Sequence, residues 1–180
     1  THGSRDACCG TMGGKLYKGL IESHNPSPNT PTIWQTSHLG GHRFAPTILQ
    51  LPQSLISAFV EVEDFWDQKS AVAPPIQKWR GCSFYSPAAQ FADIHLRKQN
   101  ITPLTCTKDQ MEDDISLVHW IGQDDRGEKH MYTFEIERKG IGVFAKASCK
   151  DDLEKEIKAF SILSEHQYST ASKTYSSLTT

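Results

Sequence analysis

The segment Trp34-Gln35-Thr36-Ser37-His38-Leu39-Gly40-Gly41-His42-Arg43-Phe44-Ala45-Pro46 sets two histidines either side of Leu39 and an adjacent pair of glycines. Neutral imidazole is a common ligand for zinc, copper and iron. On a helix this spacing would put both rings on one face. The Gly40-Gly41 pair predicts a loop instead, because glycine lets the backbone curl close to a bound group. Upstream, His2-Gly3-Ser4-Arg5-Asp6-Ala7-Cys8-Cys9-Gly10 adds thiols within a small-residue segment. Thiolate and imidazole together suit zinc and iron–sulfur centres equally well. On spacing alone the two metals are equal candidates, and a pair of metal-free loop histidines stands beside them.

Composition narrows the partners. The 180 residues fit one compact domain, or one with a small appendage, and 37% are apolar. Lys and Arg number 19 against 21 Asp and Glu, a formal charge of −2. No basic stripe is available to neutralise phosphates, so nucleic acid is not expected as a partner. No run of about 18 apolar residues predicts a membrane span. No charged start followed by an apolar stretch marks a secretory signal. The five cysteines are odd in number and scattered, which predicts a reducing, cytoplasmic setting and not a disulfide framework.

Around the two segments the pattern alternates between helix and strand. Residues 1–10 read as a loop. Leu16, Tyr17, Leu20 and Ile21 recur at helical spacing over residues 12–23, and the proline-rich residues 25–31 end that helix. Residues 32–37, 47–51 and 55–62 read as strands, and residues 64–72 as a short helix. Ser86-Pro87 is a helix start, with serine as cap and proline in the first turn, and that helix runs to about Lys98. Residues 115–121 and 130–138 read as strands, the second with Tyr132, Phe134 and Ile136 on one face. A turn at Lys139-Gly140 would lead to a third strand over 140–147. Leu153, Ile157 and Phe160 predict a last helix over 151–163, followed by a disordered, Ser- and Thr-rich tail.

The two ligand-bearing segments strongly resemble the sucrase/ferredoxin-like family, a branch of the thioredoxin-like [2Fe–2S] ferredoxins. Leu51-Pro52, Trp79-Arg80-Gly81, Pro87-Ala88-Ala89-Gln90 and Ala147-Ser148-Cys149 extend the resemblance in order along the chain. It implies an α/β fold: a thioredoxin-like ferredoxin layer, partial at its N-terminus, with a C-terminal α+β extension. The corresponding parts are a cluster-binding region over 1–62, an extension over 63–165 and a tail over 166–180. It also implies a [2Fe–2S] cluster held by two cysteines and two histidines, with Cys9, His38 and His42 as ligands in this chain. Two neutral imidazoles in place of thiolates raise the reduction potential, and an imidazole N–H can couple it to pH.

The resemblance has one departure. The other family cysteine would fall immediately before Thr1, so the chain reads as an N-terminally truncated member with three of four ligands. Cys8 reads as a packing residue, since neighbouring side chains point in different directions. The expected role is that of a non-catalytic one-electron carrier or sensor that meets a reductase or acceptor protein. A zinc-bearing structural module and a metal-free thioredoxin-like binding fragment are the alternatives. Sucrose cleavage has no paired carboxylates to support it. Arg43 reads either as a docking charge beside the site or as a solvated one. The other histidines, including His130, receive no role.

Overall fold

Cys9, Gly13, Leu16 and Leu20 follow one another at helical spacing, and all four are buried. They form the inner stripe of α1 (Ala7–Ser23). The helix starts earlier than its composition predicts, because Gly10, Gly13 and Gly14 depress helix propensity while burial of the stripe favours the helix. The computed structural model describes residues 7–23, 32–36, 39–66, 74–146 and 151–170, without the side chains of Cys8, His42 and Trp66. These residues fall into two compact units, Thr1–Phe84 with Gly142–Ile157, and Tyr85–Ile141 with Lys158–Thr180.

In the first unit Leu16 and Leu20 of α1 pack with Val60 into a small core, flanked by Ile33, Ile48, Val62 and Phe65. A Cβ on Gly19 would lie 2.6 Å from a Val62 methyl, so the glycine sets how close the helix comes. The sheet of this unit is antiparallel, in the order β1 (Thr47–Gln50), β2 (Leu55–Ala58), β3 (Trp79–Cys82). Before β3, the short helix α2 (Glu63–Trp66) is tied down by Lys78. Its Nζ lies 2.6 Å from the Asp64 carboxylate and 3.2 Å from that of Glu61. Residues 67–73, the remainder of the predicted 64–72 helix, lie outside the described residues.

The second unit is built on α3 (Pro87–Lys98) against β4 (Thr102–Glu112), β5 (Ile115–Gln123), β6 (Lys129–Lys146) as far as Ile141 and β7 (Glu154–Ser169) from Lys158, in that sheet order. Ser86 caps α3 as predicted, its Oγ accepting the Ala89 N–H at 3.2 Å. The same hydroxyl donates to Asp109 of β4 at 2.6 Å. Ala88, Ala89, Ala92 and Leu96 form the inner stripe, and the small alanines let the helix lie close to the sheet. Opposite them the register pairs Val118 with Phe134 and Trp120 with Tyr132, all buried. These cross-strand aromatic and β-branched pairs are the stabilising unit of the sheet.

The architecture is therefore α+β, helices on antiparallel sheets, which agrees with the expected mixture of helix and strand at that coarse level. Four local expectations are corrected. Residues 32–36 are not in a strand. No turn forms at Lys139-Gly140, since β6 runs unbroken from Lys129 to Lys146. The last helix is absent, and β7 occupies its place and continues to Ser169, beyond where the tail was expected to begin. Leu153, Ile157 and Phe160 mimic helical spacing, yet Phe160 and Ile162, two apart, are the pair that packs on the core. β4 was not foreseen, being a polar edge strand with Pro103 near its start. Residues 171–180 lie outside the described residues.

Among the described residues of the second unit one charged group, Asp93, is buried. Asp93 is 2% exposed, its Oδ1 bonded to Arg97 at 2.9 Å and its Oδ2 without a partner among the described residues. Burial pushes its carboxyl up, and the Arg97 charge and hydrogen bond only partly offset this. Between the ordinary value and the raised one the native state holds the proton longer than the unfolded chain does. Stability from this group is thus complete below pH 3.8 and is lost as pH rises above it. Asp93→Asn is expected to gain stability relative to wild type as pH rises from there toward neutrality, in urea melts run across that range. A difference that does not change with pH would contradict this. Leu96→Ala, at a site with no exposure, is expected to cost about 2–5 kcal/mol in the same assay.

Candidate functional site

Of the three residues singled out from sequence, the structure describes Cys9 and the backbone of His42. Cys9 is a free thiol, 4% exposed, on the inner face of the first turns of α1. His42 opens a single 3-10 turn, His42–Phe44, and its side chain is not among those described. Ser37 and His38 lie outside the described residues. The structure thus fixes the backbone at Cys9 and His42 without bringing the three donor atoms into view together.

The turn that carries His42 is well determined by its neighbours. Gly40 and Gly41 both adopt positive φ, 80° and 66°, a conformation that glycine takes at little cost. The Phe44 N–H then donates to the Gly41 carbonyl at 2.8 Å and closes the turn. The Phe59 N–H donates to the Phe44 carbonyl at 3.0 Å, which ties the turn to the end of β2. Phe44 and Phe59 meet edge to face, with centroids 5.8 Å apart. On Phe44 sits the guanidinium of Arg80, 3.8 Å from the ring centroid, a cation–π stack. Arg43 approaches the same ring at 5.8 Å. Burial, and secondarily the charge of Arg43, hold the Arg80 guanidinium below its ordinary pKa. Neither arginine has an acidic partner among the described residues.

Beside this turn lies a groove of about 810 Å³, lined by Leu16 and Leu20 of α1, Ile48 and Leu55 of the sheet, and Ile33 and Trp79. Thr36 and Leu39, which flank the His38 segment, also line it. Among the described residues no charged side chain contributes to its wall. Such a cleft takes apolar surface and offers little to an anionic substrate.

A second cluster, in the other unit, was not foreseen. Asp124, Glu128 and His130 place one donor atom each within 4.8 Å of one another. The Asp124 carboxylate accepts the Arg126 N–H at 3.0 Å and the Glu128 N–H at 2.8 Å, which folds the β5–β6 hairpin turn. Its other oxygen lies 3.6 Å from His130 Nε2. Burial works to raise this carboxyl, but those two amides and His130 carry it below its usual range. The Asp-x-x-Gly turn of residues 124–127 was the available sequence signal. The arrangement is first a turn lock, and its donor set is not specific to any one ion.

Residues 1–110 match the family model described as Sucrase/ferredoxin-like. The chain belongs to the sucrase/ferredoxin-like family. Neither the curated proteins nor the solved structures contain a match to the chain. The family match takes in Cys9, His38, His42, Arg43, Phe44 and Arg80, and stops short of the Asp124 cluster.

The geometry gives a graded mutational expectation for this family segment. Gly40→Ala has open space for its methyl and should cost about 1–2 kcal/mol from the left-handed backbone alone. In Gly41→Ala the Cβ would also lie 2.9 Å from Arg80 Nη1, so it should cost more. Denaturant melts in wild-type and Arg80→Met backgrounds check this. The excess cost of Gly41→Ala is expected to shrink once the guanidinium is gone.

Proposed function

We propose that this chain contributes Cys9, His38 and His42 to a [2Fe–2S] centre on a thioredoxin-like ferredoxin layer. In this reading it works as a one-electron carrier or sensor in the cytoplasm, not as an enzyme, and exchanges electrons with a reductase or acceptor protein. The observation that carries the reading is the occurrence of the Cys9 segment and the His38-x-x-x-His42 segment together inside a sucrase/ferredoxin-like match.

Three features of the structure fit such a group. Cys9 is a buried free thiol, screened from bulk oxidants. The Gly40-Gly41 backbone is folded so that no Cβ intrudes at the approach to His42. Arg80 and Arg43 set positive charge at the same turn with no acidic partner among the described residues, which favours a bound group that becomes more negative. When bound, the cluster would supply a reversible one-electron couple. The chain's own residues would hold it, exclude water through the apolar groove wall and set the local charge. In this reading the remaining thiolate comes from the family's other cysteine.

The test is an iron, sulfide and visible-absorption assay on this chain and on one extended upstream through that cysteine. About two irons per extended chain with red-brown absorption, lost on His38→Ala or His42→Ala, is the expected result. Stoichiometric zinc in a colourless protein would replace the redox reading with a structural one. Absence of metal from both forms would overturn both.

A further inference from the structure

Arg80 belongs to β3, where the pairing of Ile56 with Gly81 and of Ser57 with Trp79 fixes its backbone against β2. From that position its side chain reaches across to the His42 turn. The guanidinium stacks on Phe44 at 3.8 Å, and Nη1 occupies the space that a side chain at residue 41 would need. Phe44 is thereby held on one face by Arg80 and at its edge by Phe59, while its N–H closes the turn on Gly41.

The charge of Arg80 is also unusual. A half-buried guanidinium ordinarily finds a carboxylate, because desolvating an unpaired charge is costly. Elsewhere in the chain the rule is obeyed: Lys78 has Asp64 and Glu61, and Arg97 has Asp93. Arg80 has only an aromatic face among the described residues, and its nearest charged neighbour over that face is the like-charged Arg43. Stacking explains why the side chain stays there but not why the charge has no counterion among the described residues.

We propose that Arg80 is a positioning residue for the His42 turn and that its unpaired guanidinium favours the reduced state of the group bound there. This rests on the cluster reading given above. With a cluster bound, one electron supplied by the redox partner protein would reduce one ferric iron to ferrous. Arg80 keeps its proton throughout, and no bond to it forms or breaks. The added negative charge is then balanced by a fixed positive one that the fold already holds in place.

Arg80→Met removes charge and stack, whereas Arg80→Lys keeps the charge and loses the planar stack. Two measurements separate the roles. In the metal-free proteins, hydrogen exchange of the Phe44 amide should be faster in both variants than in wild type. In the cluster-loaded extended chains, poised at the wild-type midpoint potential, the ratio of reduced to oxidised cluster should fall roughly fivefold in Arg80→Met. It should stay near wild type in Arg80→Lys. An unchanged ratio in Arg80→Met, with iron content intact, would overturn the charge role. An equally protected Phe44 amide would overturn the positioning role. If no form takes up iron, the proposed function fails and the charge role with it, while amide exchange still decides the positioning role. Should Arg80→Met fail to fold, Arg80→Gln replaces it in both measurements.

Discussion

Two consecutive residues with positive φ, Gly40 and Gly41, govern how the chain enters the turn that carries His42. A side chain at either place would meet backbone strain, and at Gly41 it would also meet Arg80. Because the pair is free of both, the 3-10 turn can close through Phe44, and Phe44 can present a face to the guanidinium and an edge to Phe59. The link to β2 and the stack from β3 follow from that entry angle. A strand, a turn and a cation are thus joined over a few residues with one aromatic ring as the common surface.

The two units rely on different balances of forces. The second has a well-filled core in which an alanine-lined helix meets paired Trp120, Tyr132, Val118 and Phe134. Among the described residues the first buries less, with Leu16, Leu20 and Val60 at its centre and a groove alongside. Apolar burial of that modest extent leaves more of the burden to specific contacts. The Lys78 bridge to Asp64 and Glu61 and the Arg80 stack are contacts of that kind. The candidate ligands all belong to the less filled unit.

How much of this was legible in the sequence depended on whether one period dominated. The capped helix from Ser86 and the alternation at Tyr132, Phe134 and Ile136 were readable because local signal and burial agree there. The long β6 and β7 were not, since Gly140 resembles a turn residue and Leu153, Ile157 and Phe160 fit two periods at once. β4 escaped because a polar edge strand has almost no apolar rhythm. At the site, the donor types and the loop character of residues 40 and 41 could be read directly. The role of Arg80 could not, because the sequence separates it widely from Phe44 and only the β2–β3 pairing brings them together.

Asp109 of β4 accepts hydrogen bonds from both the N–H and the hydroxyl of Ser86, at 3.1 and 2.6 Å, while that hydroxyl caps α3. One carboxylate thus staples the outermost strand of the second unit to the first turn of its helix. An exposed edge strand is ordinarily the first part of a sheet to detach and recruit a neighbour. Here detachment would also uncap the helix, so the strand's separation carries the cost of fraying an element on which the core rests. One edge of that sheet is thus restrained by its coupling to the helix on which the core rests.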